Sequence, residues 1–310
     1  MIMGAQPSPY LLPLSAMFFW GPTYIIVRVS HEGVPPITLN FWRWVVVLVL
    51  LLPWTAAAAW WHRAVLRQNA WLLGALSVTG VALYQSAAYI ALDTTTTINA
   101  GLIYATVPVV TPLISYALFR KFVTPRQALG IAISMVDVVA IIVRAEWGAL
   151  VGFLFTPGDL WILLSVVAWA LYSVLLGRLR GNLSPFVLMM VLAAIGVVVL
   201  LPFYGWEWAV TGGSALSRST VLALAYLSVA SAIVSYVYWN NAVAVIGANK
   251  AGLFLHLIPV FTVVLAILVL GEQLKGFHIA GTGLIVTGIY LTVTRTGTTR
   301  SKLSGRCKAC

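Results

Sequence analysis

The stretch PITLNFWRWVVVLVLLLP, residues 36–53, can be laid over PFVLMMVLAAIGVVVLLP, residues 185–202, with the prolines at both ends in register, at an offset of 149 positions. The same offset sets Trp20 of MFFWGPTY over Trp169 of VVAWALYS. A slip of two residues then sets Ala100-Gly101 over Ala251-Gly252 and Pro108 over Pro259. Further on, Gly130 falls on Gly281 and Asp137 on Gly288. The chain is written twice, and any fold proposed for it has to accommodate that repeat.

Both copies are far too apolar to fold in water. Of the 310 residues 61% are hydrophobic and 8% charged, with a mean hydropathy of +1.00. A soluble domain carries about 25% charged residues. A helix needs about 20 apolar residues to cross a hydrocarbon core of about 30 Å. Ten windows of that kind run from 10–29 to 276–294, joined by short turns. Residues 1–9 hold no Lys or Arg, so the first window reads as a retained span and not as a signal peptide. Five spans per half is an odd number, so the second copy enters the membrane from the opposite side. The expected fold is an all-α membrane protein of ten transmembrane helices, arranged as two inverted five-helix repeats. The repeats cover 10–143 and 159–294, and a basic tail follows at 295–310. Inverted repeats of this kind are a signature of transporters, with the site near the midplane between the halves.

The net charge of +11 is a topology signal and calls for no nucleic acid. If the N-terminus lies inside, the inner segments carry Arg63, Arg67, Arg120, Lys121, Arg126, Arg178, Arg180, Lys250 and the basic tail. The outer segments carry only Arg28, Arg144, Arg218 and Lys275. Basic residues concentrate on the cytoplasmic side, so both termini are placed in the cytoplasm, and the localisation expected is a bacterial inner membrane. Cys307 and Cys310 close the tail as a single CxxC with no second ligand pair, which is weak ground for a metal or redox site.

The fourth window begins in ALDTTTTINAGLIYATVPVVTP, residues 91–112. Its Thr and Asn residues suit the start of a helix, where side chains cap free N–H groups. Pro108 follows ten residues after Ile98, about 15 Å at 1.5 Å per residue. Pro259 reaches a similar depth from the other side, nine residues past Lys250. A proline inside a helix breaks the backbone ladder, and such breaks are tolerated in membranes where they are buried in protein or line a cavity.

Trp20-Gly21, Pro36 and Arg43, the Ala-Gly-Leu and proline of the fourth and ninth windows, and LGEQLKGFHIAGTGLIVTG at 270–288 together carry a family resemblance. The chain resembles the EamA-type members of the drug/metabolite transporter superfamily, and among them it looks most like the aromatic amino acid exporters of the YddG type. That resemblance implies ten helices, cytoplasmic termini, a central cavity and alternating access. Arg120-Lys121 stands where the family's first half has Gly-Glu, so no symmetric pair of glutamates is implied.

Ionisable residues inside a membrane are functional candidates by default. Arg43 and Asp137 fall at depths compatible with the outer half and could pair. With Pro108 and Pro259 they form the expected gating or structural set, and the resemblance favours that role for Arg43. His256, one turn before Pro259, is a candidate for substrate contact. Trp20 with Tyr24, then Tyr84, Tyr104, Trp169 with Tyr172, and Ser235 with Tyr238 complete the expected substrate-binding set. Trp20 and Trp169 stand mid-helix at matched repeat positions, whereas Trp54, Trp60, Trp61, Trp206 and Trp208 flank helices as membrane-interface residues do.

No HExxH, paired CxxC, nucleophile elbow or phosphate loop is present in the sequence. The expectation is therefore a transporter and not an enzyme, with no cofactor, no metal and no obligate protein partner. Its partners are the bilayer and a small-molecule substrate. Aromatic and hydroxyl groups with little net charge suit a neutral or zwitterionic solute with an apolar body, such as an amino acid. Export of drugs or other metabolites is the alternative within transport. A non-transporting membrane receptor or scaffold is the alternative of another class.

Overall fold

A computed structural model of the chain describes residues 8–23, 26–27, 34–91, 93–95, 97–142, 156–213, 217–262, 264, 283 and 285–290. The helices in chain order are α1 (Leu11–Trp20), α2 (Pro36–Trp61), α3 (Ala70–Ala91), α4 (Asn99–Phe119), α5 (Pro125–Ile142), α6 (Pro157–Leu176), α7 (Pro185–Thr211), α8 (Arg218–Ile246) and α9 (Ala248–Leu253). No strand occurs among the described residues. Six of the helices there, α2, α3, α4, α6, α7 and α8, are long and apolar enough to cross a membrane.

The most extensive contact in the bundle joins α2 to α7. Each opens on a proline in its first turn, Pro36 and Pro185, a position that needs no N–H partner. Phe41 of α2 stacks on Tyr204 of α7 with centroids 4.3 Å apart. Their outward faces carry Trp54, Trp60, Trp61, Trp206 and Trp208, all exposed. In water such a surface would aggregate; against lipid it is the expected outer wall. At the middle, α6 packs against α3 and α4, and α1 packs against α8. Along α6, Ile162, Ser165, Trp169, Tyr172 and Leu176 recur every three or four residues and are all buried.

Two helices depart from α-geometry at matched places. A π-helical segment, Val78–Leu83, interrupts α3, and another, Leu227–Val234, interrupts α8. Their first residues are again 149 positions apart. A π-turn spaces its carbonyls for i→i+5 bonding and leaves some of them to outside donors. Here the outside donors come from other helices. Tyr236 donates its hydroxyl to Gly80 O (2.7 Å) and Asn40 Nδ2 donates to Val81 O (3.1 Å). In α8, Trp20 Nε1 donates to Ser231 O (2.9 Å). Gly80 has to be glycine, because a Cβ there would stand 2.2 Å from the ring of Tyr172.

The proline-marked helices are interrupted as well. α4 breaks at Ala105 and Thr106, between Thr97–Tyr104 and Val107–Phe119. α9 tightens into a 3₁₀ turn over Phe254–Leu257, just before Pro259. The two breaks meet, since His256 Nε2 donates to Ala105 O at 3.0 Å.

Candidate functional site

A cluster of aromatic rings fills the space where α1, α3, α6 and α8 converge. Trp20 and Trp169 meet edge to face at 5.2 Å between centroids. Trp169 also contacts Tyr84 (4.6 Å), Tyr172 (5.2 Å), Tyr236 (5.5 Å) and Trp239 (5.3 Å). Trp44 of α2 joins through Tyr236 at 5.4 Å. Edge-to-face and tilted pairs at these spacings are the favoured aromatic geometries. Trp169 is 2% exposed and Tyr172, Tyr236 and Trp239 are fully buried, so the rings form a solid plug with no open space between them.

Of the residues singled out in the sequence, Trp20, Tyr84, Trp169 and Tyr172 are brought together here. Tyr104 stands beside them, its hydroxyl sharing a hydrogen bond with Ser165 Oγ (2.8 Å), which itself donates to Tyr84 O (2.8 Å). Ser235 turns back on its own helix and donates to Ala230 O (2.9 Å). Tyr238 lies half-buried at the edge, while Tyr236 and Trp239 point inward. The sequence reading paired Ser235 with Tyr238, but within the regular helix Ser235–Ile246 the buried face runs through Ser235, Tyr236, Trp239, Asn240 and Val243 and leaves Tyr238 at its edge. Tyr24 and the side chain of Asp137 lie outside the described residues, as do Cys307 and Cys310.

Arg43 is fully buried in α2. It donates from NH1 to Tyr89 Oη (3.1 Å) and from NH2 to Ser231 Oγ (3.1 Å). Ser231 Oγ also accepts from Thr23 Oγ1 (3.0 Å), so α2, α3, α8 and the segment just after α1 are tied at one point.

The two ends of the bundle differ. At the end carrying Lys121, Arg178 and Lys250, a cavity of about 780 Å³ opens between α4, α6, α7, α8 and α9. Its polar lining includes Gln127, Asn182, Asn240, Asn241, Asn249 and Lys250, and no acid. None of the described residues expected to contact substrate lines this cavity; the link is Asn240, whose Oδ1 accepts from Tyr172 Oη at 2.7 Å. The cavity therefore ends on the aromatic plug. The amides of Asn240, Asn241 and Asn249 escaped the sequence reading, which weighed charged, aromatic and hydroxyl groups.

The opposite end is shut by two buried carboxylates. Asp159, at the start of α6, accepts from Thr95 Oγ1, from Asn99 Nδ2 (3.0 Å) and from Thr156 N (2.7 Å). Gly158 lets this helix start lie directly on the α3–α4 turn, since a Cβ would come within 2.7 Å of Ala91 O. Glu207 of α7 caps α2, accepting from Ile37 N (3.1 Å), Thr38 N (2.6 Å) and Thr38 Oγ1 (2.8 Å). A carboxylate at a helix N-terminus satisfies free N–H groups and the helix dipole. A cleft of about 150 Å³ lies there, between Thr38, Trp42, Tyr204 and Trp208. Among the described residues no three His, Cys, Asp or Glu converge as metal ligands would.

Apolar spanning helices, interrupted helices and a polar-lined cavity closed at one end are the features of a multi-pass membrane transport protein. The EamA-like transporter family model matches this chain twice, over residues 7–143 and 156–294, and the chain belongs to that family. It is 28% identical over 294 residues to an uncharacterized transporter of Archaeoglobus fulgidus, covering 92% of this chain and 97% of the relative. It is 22% identical over 296 residues to a probable amino-acid metabolite efflux pump of Escherichia coli, covering 91% and 94%. A solved crystal structure shares the fold at a TM-score of 0.70 and 20% identity, covering 93% of this chain and 97% of its own. The family is one of transporters, not of enzymes.

Proposed function

We propose that this protein exports amino acids or similar small metabolites by alternating access. The observation that carries the reading is the pairing of an open cavity at one end with a sealed carboxylate clasp at the other. The positive-inside rule puts the open, lysine-bearing end in the cytoplasm. The structure then corresponds to a loading state, with Asn240 and Tyr172 at the head of the cavity. Ten helices in two inverted repeats supply the mechanism, because contacts made at one end of one repeat have counterparts at the other end of the next. The rocking of one half against the other opens the clasp as the cavity closes. The name of the relative from Escherichia coli, an amino-acid metabolite efflux pump, agrees with the aromatic and amide character of the pathway.

Counterflow decides it. Purified protein in liposomes preloaded with a neutral amino acid is expected to take up the labelled compound faster than empty liposomes do. Uptake indistinguishable from protein-free liposomes across a panel of amino acids would remove the substrate class.

A further inference from the structure

Arg43 is a charged group in the middle of a membrane protein, and among the described residues no acid side chain meets it. Among the described residues its only polar partners are the hydroxyls of Tyr89 and Ser231, both neutral, and its Nε–H has no acceptor. The nearest aromatic face is Trp44, 5.6 Å away. The carboxylates buried among the described residues are committed elsewhere, Asp159 to Thr95, Asn99 and Thr156 and Glu207 to the first turn of α2. The helix carrying Asp137 packs on α4 and on the 3₁₀ turn after α9, whereas α2 packs on α3, α7 and α8. Burying a charge without a counter-charge is among the more costly arrangements a protein adopts.

A tie between helices does not explain that cost. α2 is already joined to α3 through Asn40 and to α8 through Ser228 Oγ, which donates to Arg43 O at 3.1 Å. A neutral donor at position 43 would hold the same two hydroxyls. What a guanidinium adds is a charged, forked donor that matches a carboxylate.

Its place on the path fits that use. From the cavity head, ring contacts run from Tyr172 to Tyr236 (5.8 Å) and from Tyr236 to Trp20 (5.8 Å). Trp20 then donates to Ser231, the residue that also holds Arg43. Arg43 thus lies directly behind the aromatic plug, on the side away from the open cavity. We propose that Arg43 is the receptor for the carboxylate of the transported solute once the plug parts, its free Nε–H and one terminal N–H taking the two oxygens. The solute class is a carboxylate-bearing compound with an apolar body. The inference rests on the transport reading above and narrows it.

The test is counterflow of labelled phenylalanine in proteoliposomes, competed by unlabelled phenylalanine and by phenylalanine amide, which lacks the carboxylate. Wild type is expected to prefer the acid over the amide by about tenfold or more, the scale of one charge-assisted hydrogen bond. In Arg43→Gln that ratio should fall to near one; an unchanged ratio overturns the proposal and leaves the transport reading standing. If Arg43→Gln fails to fold, Arg43→Lys serves, since a point charge replaces the fork. Its ratio should then drop without vanishing, and a wild-type ratio overturns the proposal. If wild type exchanges no amino acid, the amino acid reading is what fails. Thermal stabilisation in detergent by phenylpropionate against its amide then decides Arg43. Stabilisation by the acid alone, lost in the variant, supports the assignment, and no stabilisation by the acid overturns it.

Discussion

Trp20 and Trp169 stand 149 positions apart in the chain and meet ring to ring, edge to face, at 5.2 Å. Ala105 and His256, matched at an offset of 151, likewise touch through a hydrogen bond of 3.0 Å. Residues at corresponding places in the two halves therefore contact each other at the centre of the bundle. In the transport reading proposed above a substrate would pass between them, so these residues are where function and packing are hardest to separate.

Trp169→Ala is expected to impair transport while the protein still inserts in the membrane. One large ring in a binding site is worth about 1–3 kcal/mol, or roughly tenfold to a hundredfold in affinity. Trp60→Ala, at a ring 68% exposed on the lipid-facing wall, should leave flux close to wild type. Counterflow at matched expression compares the two; equal rates would make Trp169 ordinary packing.

Tyr172→Phe keeps the ring and deletes the hydroxyl that donates to Asn240 Oδ1 at 2.7 Å. A buried acceptor left without its donor costs about 1–3 kcal/mol. With the cavity head disordered, KM should rise several-fold and the fold should survive. Concentration dependence of flux, read beside a melting curve, separates the two effects, and an unchanged KM removes Asn240 from the pathway.

Asp159→Asn should loosen the sealed end, because an amide cannot accept from Thr95, Asn99 and the Thr156 N–H as a carboxylate does. A reporter Ser165→Cys, at a site fully buried behind this clasp, is expected to react faster with a thiol reagent in the Asp159→Asn background. Equal reaction rates in the two backgrounds would show that Asp159 does not hold the end closed.

The orientation proposed from the basic residues predicts that cysteines near Arg120, and the native Cys307 and Cys310, react only from the cytoplasmic side. An impermeant maleimide applied to intact cells checks this. Labelling of either site from outside would invert the topology and with it the direction of loading.

The sequence by itself determined the membrane class and the family, because both live in composition and in motifs that do not depend on contacts. It also marked the helix breaks, since Pro108 and Pro259 act on their own backbone. It reached part of the aromatic plug, through Trp20, Trp169 and Tyr172, where regular helices keep a 3.6-residue face. Only the tertiary structure decided the rest. In α8 the packing of neighbouring helices puts Tyr236 and Trp239 on the inner face and leaves Tyr238 at its edge. Arg43 finds hydroxyls from α3 and α8, partners that lie 46 and 188 positions away and that no local pattern announces. Asp159 and Glu207 each close a helix start contributed by, or packed on, a distant segment, which no local pattern announces. Which end stands open is also beyond the sequence. Under the alternating access proposed for this protein, both states would be built from the same residues and differ only in which of the long-range contacts are made.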